Sequence, residues 1–292
     1  MNQHEQSAEE LGCFDRMVQS GSDCPRDGGL QECVSMVEIL DSAAFVYQPP
    51  DRAKGAQRIL VKPNLGYPAA PPVTVSLAVL GQVLQGLRQA SPTAEILVVE
   101  GVCSPVSLTT IAAQRKLEQV LDAGMRLLDA DTLELAEYEN RSPQPVRFKT
   151  LWAPKLLQEV DCRITIGAFK RTILKDEPLI SASLKNLYGL FPRAKYKARS
   201  ANSRGQLHRP SVPEVLQDVY FSIGYLFDGA VVDATERFVS RDWKPDRGTA
   251  VPCGKVFCGE DTIAVDRAAC EVTGEPIPRY IEAIEGLRRM GS

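Results

Sequence analysis

Residues 58–101 of the chain read RILVKPNLGYPAAPPVTVSLAVLGQVLQGLRQASPTAEILVVEG. Short apolar runs at 58–62 and 94–100 flank residues 73–90, whose leucines and valines recur at helical spacing. A strand, a helix and a second strand in this order predict two parallel strands joined by a right-handed crossover. This stretch therefore predicts an α/β fold built on a mostly parallel sheet.

The alternation of apolar runs continues through the rest of the chain. Further strands are predicted at 125–128, 161–168, 230–233 and 256–259, and further helices at 108–123, 154–160, 180–190, 212–226, 263–273 and 281–288. Crossover helices are expected on both faces of the sheet, with a basic loop or lid region beside it. Residues 1–34 lack clear periodicity and are predicted to be a poorly specified leader. Residues 35–292 are expected to form a single α/β domain, alternatively divided into two lobes at 35–160 and 161–292.

The composition is typical of a globular protein. Of the 292 residues, 44% are hydrophobic and 24% are charged, and the net charge is −3. No apolar run approaches the roughly 20 residues that a membrane helix needs, so no membrane partner is expected. The N-terminal residues MNQHEQSAEELGCFDRM are polar and acidic, unlike a secretory signal. A cytoplasmic location is therefore predicted.

The eight cysteines have no regular spacing, and the nearest pair is Cys253 and Cys258. Most of them are predicted to be reduced and buried, as small apolar side chains are. A metal site made by cysteines needs closely spaced pairs, so no metal ligands are predicted. The sequence indicates neither a cofactor nor an oligomeric state.

Positive charge is concentrated in residues 163–209. This stretch has eleven Lys or Arg residues against two acids, Asp176 and Glu177, so its net charge is +9 in a chain whose total is −3. Such an asymmetry is typical of a site for an anionic partner. Cations are densest at 191–209, which is also compatible with a solvated, mobile loop.

Polar residues follow several predicted strands directly, where the carboxyl ends of parallel strands form a ligand-binding crevice. Clustered lysines and acids in such a crevice suit acid–base chemistry, and the start of the predicted helix 180–190 offers backbone donors to an anion. The candidate catalytic residues are Lys62, Lys185, His208, Asp233 and Glu236. The candidate ligand-binding residues are Asn64, Glu100, Lys170, Arg171, Asn186, Arg193, Lys195 and Arg209.

Some of these positions also have ordinary structural interpretations. Pro63 and Asn64 are compatible with a simple turn. Asp129 and Asp131, after the predicted strand 125–128, suit a metal site or an acid–base pair, but an ordinary turn is the favoured interpretation. Asp261 precedes the helix predicted at 263–273 and suits a capping role.

Six elements in order resemble the family known as domain of unknown function 362. They are ILVKPN (59–64), VVEG (98–101), IGAFK (166–170), SLKNLYG (183–189), His208 and GEDTIAVDRAA (259–269). The resemblance spans roughly residues 58–285 and implies an α/β domain of unsettled chemistry, often accompanied by a ferredoxin-like four-iron module. The C-x2-C-x2-C-x3-C run of that module does not occur in this sequence.

The resemblance also implies a shared pocket. The matching residues are Lys62, Asn64, Glu100, Lys170, Lys185, Asn186, His208, Asp261 and Asp266. The chain departs from the family pattern at Thr172, where a histidine is common two positions after the lysine. A function that depends on that histidine is in doubt for this chain.

Three functional hypotheses follow from these patterns. The first is an enzyme that binds a phosphate- or carboxylate-bearing small molecule at the carboxyl edge of the sheet and uses Lys, Asp and Glu for acid–base chemistry. The second is a nucleic-acid-binding module that uses residues 191–209. The third is an iron–sulfur or redox-associated protein. No G-x-S-x-G, P-loop or G-x-G-x-x-G motif indicates a more specific reaction.

Overall fold

The fold was analysed in a computed structural model that describes residues 36–174, 177–242 and 247–290. The leader predicted at 1–34 lies outside the described residues. The strands are β1 (Glu38–Asp41), β2 (Arg58–Pro63), β3 (Glu95–Glu100), β4 (Met125–Asp129), β5 (Leu135–Glu139), β6 (Thr150–Pro154), β7 (Cys162–Leu174), β8 (Glu177–Ser181), β9 (Gly229–Ser240) and β10 (Gly248–Gly259).

The α-helices vary from single turns to about four turns. They are α1 (Leu77–Ala90), α2 (Leu108–Gln114), α3 (Leu156–Glu159), α4 (Ser183–Asn186), α5 (Arg193–Tyr196), α6 (Val212–Ser222), α7 (Thr262–Thr273) and α8 (Arg279–Met290). Short 3-10 helices occupy Ser42–Ala44, Asp51–Ala53, Leu117–Gln119, Ala130–Thr132, Leu187–Leu190, Gly205–His208 and Gly224–Leu226. None of the described helices combines the length and the apolar character that a bilayer crossing requires.

In the described ranges, eight strands form one sheet. Seven of them follow the order β1-β10-β9-β7-β2-β3-β4, and β8 pairs with the far half of β7. Neighbours from β9 to β4 run parallel, whereas β1, β10 and β8 pair antiparallel. β5 and β6 form a separate two-stranded sheet. The predicted α/β class with a mostly parallel sheet is confirmed.

Side chains alternate between the two faces of β2, and each face has its own core. Ile59 and Val61 pack on one side with the apolar face of α1, and Leu60 packs on the other side in the core that includes residues of α6 and α8. All three side chains are buried completely. Successive residues of a strand point to opposite faces, so both faces must be covered. The helices on the two faces provide this cover.

The prediction of a helix at 180–190 is wrong for the first residues of that range. Ile180 and Ser181 belong to β8, which pairs with Arg171 and Lys170 of β7. The helix proper, α4, has only four residues and continues as a 3-10 turn at Leu187–Leu190. A short apolar run fits a strand or a helix equally well, and pairing with the long β7 decides for the strand.

The helix predicted at 108–123 is also shorter than expected. α2 ends at Gln114, and Lys116 adopts a left-handed conformation with φ of 53° before the 3-10 turn Leu117–Gln119. A left-handed residue cannot continue an α-helix. The apolar spacing beyond it is therefore met by a turn of different geometry.

The basic segment 191–209 is folded onto the body of the protein. It contains α5 and a 3-10 turn, and its Tyr196 and Arg204 are buried. The Tyr196 hydroxyl accepts a hydrogen bond of 2.7 Å from the backbone N–H of Trp152. Lys197 and Arg199 stay exposed. The segment is therefore not solvated along its whole length.

Candidate functional site

A cavity of about 420 Å³ opens where β2 and β3 end and β7 passes beside them. We call it the lysine pocket. The predicted site residues that line it are Lys62, Asn64, Glu100, Lys170, Lys185, Asn186 and His208. The structure thus brings together, at one edge of the sheet, lysines from β2, β7 and α4. Lys62 and Lys185 are more than 100 residues apart in the chain.

Lys62 and Glu100 form a buried ion pair at the floor of the lysine pocket. The Lys62 Nζ lies 2.8 Å from Glu100 Oε1, and each side chain is 2% exposed or less. Burial lowers the pKa of Lys62, whereas the Glu100 carboxylate opposes this shift. Glu100 also accepts hydrogen bonds from the backbone N–H groups of Leu65 and Gly101, at 2.6 and 2.8 Å. These contacts fix the loops that follow β2 and β3.

The close approach of the SLKNLYG element to this ion pair requires a glycine at position 189. A Cβ atom there would lie 2.2 Å from Glu100 Oε1 and 2.7 Å from Lys62 Cε, far inside normal contact distance. The glycine therefore lets the backbone after α4 cover the pair and exclude water from it.

Asn186 fastens α4 to the end of β2. Its Nδ2 donates to the Lys62 carbonyl at 2.7 Å, and its Oδ1 accepts from the Lys62 Nζ at 3.1 Å. The side chain is buried, and Nδ2 also contacts Thr165 and Ile166 of β7. With these partners Asn186 positions Lys62, and little of its bonding capacity is left for a ligand.

Lys170 is held by oxygen atoms of the loop that follows β2. Its Nζ donates to Asn64 Oδ1 at 3.2 Å and to the carbonyl of Val73 at 2.8 Å. Burial is the main cause that lowers the pKa of Lys170 to about 8; the charge of Glu100 opposes this shift, and the charge of Lys62 acts with it. Asn64 thus has a partner across the sheet, which goes beyond the simple turn that sequence allowed.

Lys185 lies over an aromatic ring. Its Nζ is 3.9 Å from the centre of the Tyr188 ring, and no oxygen atom of the described residues bonds to it. Burial lowers the pKa of Lys185 to about 8, and the charges of Lys170, Arg204 and Lys62 act in the same direction. Helical residues three apart share a face, which brings Tyr188 under Lys185.

His208 stacks on the same tyrosine. The ring centroids of His208 and Tyr188 are 5.9 Å apart, with an interplanar angle of 28°. Desolvation by this packing, followed by the charge of Lys185, lowers the pKa of His208. With a pKa of about 4 the imidazole is neutral near pH 7 and a weak base.

The anion cradle predicted at the start of the helix 180–190 is occupied by the protein itself. The carboxylate of Asp266, from α7, accepts from the backbone N–H groups of Ser183 and Leu184 at 2.8 and 3.2 Å. It also accepts from the Ser183 and Tyr280 hydroxyls at 2.6 and 2.8 Å. Burial raises the pKa of Asp266 to about 6, and these hydrogen bonds oppose the shift. These backbone donors are thus not open to an external anion.

Asp233 and Glu236 do not line the lysine pocket, contrary to expectation. They line a separate cavity of about 60 Å³, where Asp233 accepts from the backbone N–H groups of Ser76 and Thr235 at 2.8 and 3.0 Å. β9 does not end at Asp233 as predicted but continues to Ser240. Glu236 is therefore carried onward along the strand, away from the crevice.

Four predicted ligand-binding residues also lie outside the lysine pocket, because each has another neighbour or faces solvent. Arg171 pairs with Glu275 at 3.3 Å, Arg193 pairs with Asp131 at 2.6 Å, Lys195 lies 4.0 Å over the Trp152 ring, and Arg209 is exposed. Their positive charge was visible in the sequence, but their partners come from segments far away in the chain. Asp129 and Asp131 form the alternative turn, in which Asp129 Oδ1 accepts from the Asp131 N–H at 3.0 Å.

Three further residues belong to the site and were not among the candidates predicted from sequence: Tyr188, Cys103 and Arg204. Cys103 is exposed and lines the lysine pocket two residues after Gly101, a position equivalent to the loop that holds Asn64. Arg204 is 4% exposed and donates to the carbonyls of Val102 and Gly189 and to Cys103 Sγ, at 3.2, 3.3 and 3.3 Å. The position of Cys103 after a strand could have identified it, whereas nothing local indicates that Arg204 is buried.

Candidate metal ligands are scattered in the described part of the chain. No group of three or more His, Cys, Asp or Glu residues there is arranged to hold a metal ion. Cys103, Cys162, Cys253, Cys258 and Cys270 are free thiols. The iron–sulfur hypothesis therefore has no ligand set among these residues to support it.

No curated protein matches the chain. The residues that line the lysine pocket, from Lys62 to Phe238, fall within the region matched by one family. The chain belongs to the family described as domain of unknown function (DUF362), which matches residues 59–271.

Proposed function

We propose that this chain is an enzyme that binds a phosphate- or carboxylate-bearing small molecule in the lysine pocket. The observation that carries the proposal is the charge of the pocket lining, in which Lys62, Lys170 and Lys185 accompany a single acid, Glu100, among the described residues. Glu100 is already paired with Lys62. The ammonium groups of Lys170 and Lys185 are left to attract an anion.

The size and the apolar part of the lining favour a small molecule over a polymer. A cavity of about 420 Å³ falls in the range of roughly 300 to 1,000 Å³ that small-molecule sites occupy. Tyr67, Tyr188 and Phe238 contribute aromatic surface beside the lysines. A compact anionic group attached to an apolar or planar body fits this combination.

Acid–base chemistry is supported by the perturbed amines. An amine whose pKa is about 8, as for Lys170 and Lys185, exchanges protons close to neutral pH. His208 stacks on the ring beneath Lys185 and is neutral near pH 7, so it adds no further positive charge there. Perturbed groups that cluster in a cleft are typical of functional sites.

Nucleic acid is the second candidate partner, favoured by the exposed cations Lys195, Lys197 and Arg209. Arg193 and Arg204 of the same segment weigh against it, because both contact Asp131 and point inward. Binding of single-stranded or duplex DNA that collapses as salt rises, without competition by small anions, would favour this alternative.

Replacing Lys185 by Gln is expected to weaken anion binding about 10- to 100-fold, because a hydrogen bond to a charged group contributes roughly 1.5 to 3 kcal/mol. A thermal-shift screen of phosphate, pyrophosphate, nucleotides and dicarboxylates at two salt concentrations identifies an anion that binds. Calorimetric titration then measures its affinity for each variant. Lys170→Gln should have a similar effect. Lys195→Gln is the matched control, since its ammonium also lies over an aromatic ring but outside the lysine pocket. Equal affinities in all three variants would exclude the lysine pocket as the site.

Anion affinity is expected to fall as pH rises through about 8. Lys170 and Lys185 have pKa values of about 8, so above that pH they lose the charge that attracts the ligand. The loss approaches about tenfold per pH unit for each proton that binding requires. The free energy of unfolding of the ligand-free protein should instead rise as the pH rises through about 8. The reason is that these lysines bind more protons in the unfolded state than in the folded state. Isothermal titration from pH 6.5 to 9.5 measures the first effect, and an affinity independent of pH would contradict it.

A further inference from the structure

The three lysines of the pocket differ in what their ammonium groups contact. Lys62 contacts the Glu100 carboxylate, and Lys170 contacts two uncharged oxygens. Lys185 contacts the face of Tyr188 and has no oxygen partner among the described residues. A cation over an aromatic ring is stabilised less than one paired with a carboxylate. Lys185 is thus the lysine that gives up a proton with the least loss of bonding.

We propose that Lys185 is the nucleophilic amine of the pocket and forms an imine with an aldehyde or ketone group on the anionic ligand. This inference rests on the proposed function and narrows its substrate class to carbonyl compounds that carry a phosphate or carboxylate. Lys170 holds the anionic group, because its two oxygen contacts fix its ammonium in place.

The covalent step balances without an oxidant or a reductant. The neutral amine nitrogen of Lys185 attacks the carbonyl carbon, so that a C–N bond forms, the C=O double bond opens to a single bond, and one proton passes from the nitrogen to the oxygen to give the carbinolamine. The carbinolamine then takes a second proton on oxygen and loses water, which leaves the protonated imine. The protonated imine draws electrons from the adjacent carbon and so favours loss of a proton there.

The surroundings of Lys185 suit each part of this step. Burial and neighbouring cations keep a fraction of the amine neutral at physiological pH. The Tyr188 hydroxyl donates to the Leu207 carbonyl at 2.8 Å, which holds the ring beneath the amine. His208, on the same ring, is neutral near pH 7 and adds no positive charge that would oppose the protonated imine.

The titration of Lys185 depends on every charged or titratable group that faces it. These groups are Lys62 on β2, Lys170 on β7, Glu100 at the end of β3, Cys103 in the loop after β3, Tyr188 in the 3-10 turn after α4, and Arg204 and His208 in the basic segment. Cations outnumber acids in this set, so the neutral amine is favoured.

Pyridoxal 5′-phosphate is a suitable probe because it carries both an aldehyde and a phosphate. The full chain is incubated with it, reduced with borohydride and digested, and the modified lysines are identified by mass spectrometry. Lys185 should be labelled at probe concentrations at least tenfold below those that label Lys195, which has a similar ring contact outside the pocket. Inorganic phosphate in excess should protect Lys185 and leave Lys195 unaffected.

The outcomes separate the two proposals. One outcome would overturn the imine and leave the proposed function intact. In it, phosphate binds with an affinity that depends on Lys170, but Lys185 is labelled no faster than Lys195. Labelling of Lys185 that phosphate does not slow would support a reactive amine but overturn its place in an anion site. Because the comparison is made within one wild-type molecule, it does not depend on whether a variant folds. In Lys170→Gln, Lys185 should still be labelled, at higher probe concentration.

Discussion

Replacing Glu100 by Gln is expected to lower the free energy of unfolding by about 3 to 5 kcal/mol. The substitution keeps the shape of the side chain but removes the charge that lies 2.8 Å from the Lys62 ammonium. A buried cation without its counter-charge is costly, because neither water nor another carboxylate reaches it. Urea denaturation followed by circular dichroism measures the change.

Glu95→Gln is the matched control. Glu95 pairs with Arg58 and Arg126 at 3.1 and 2.8 Å, but these side chains are 34 to 62% exposed. Such pairs contribute roughly 0 to 1 kcal/mol. Combining Lys62→Met with Glu100→Gln should recover part of the lost stability, since neither of these two positions then holds a buried charge. Equal losses for Glu95→Gln and Glu100→Gln would show that the Lys62–Glu100 pair has no special role.

Replacing Asp266 by Ala is expected to cost about 4 kcal/mol or more and to abolish anion binding. The carboxylate accepts from two backbone N–H groups and two hydroxyls at the start of α4 and on Tyr280, and it is completely buried. Each donor left unpaired in the interior costs roughly 1 to 3 kcal/mol. Lys185 follows these donors directly, so the pocket should lose its geometry. Urea denaturation and titration with phosphate at low temperature measure the two effects.

Asp261→Ala, at the start of the same helix α7, is the matched control. Asp261 Oδ1 accepts from the N–H groups of Ile263 and Ala264 at 2.7 and 3.0 Å, which confirms the capping role predicted from sequence. Loss of a cap costs about 0.5 to 2 kcal/mol. Phosphate binding should survive in this variant. An Asp266→Ala protein as stable as Asp261→Ala would mean that the donors at α4 find other partners.

The arrival of Lys62 and Glu100 in one cavity was predictable because the parallel strands β2 and β3 end at the same edge of the sheet. Lys170 was assigned to that edge from a strand expected to end at Ala168, and it lies there although β7 continues to Leu174. Asp233 was assigned to that edge by the same reasoning, but β9 continues past it and its carboxylate is bound by the backbone N–H groups of Ser76 and Thr235 in a separate cavity. Apolar runs show where a strand is buried, but an exposed continuation has no such signal. Lys185 was brought to the pocket by α4, a single turn whose length the apolar pattern overestimated.

The cations of residues 191–209 illustrate a second limit. Their density indicated an anionic partner, yet Arg193 and Arg204 are satisfied by Asp131, more than 60 residues away in the chain. Charge is a property of single residues, whereas pairing depends on which segments meet after folding. Arg193 was therefore assigned to a site from which the fold removes it.

The sequence by itself determined the strand–helix–strand order from β2 to β3, the parallel core of the sheet and the edge at which Lys62 and Glu100 lie. These features follow from local periodicity and from the handedness of crossovers, which neighbouring residues encode. Only the tertiary structure decided which charges are neutralised, by joining Lys62 to Glu100 and leaving Lys185 over Tyr188. The physical reason is that desolvation and ion pairing arise from contacts between distant segments, and these contacts exist only once the sheet is assembled.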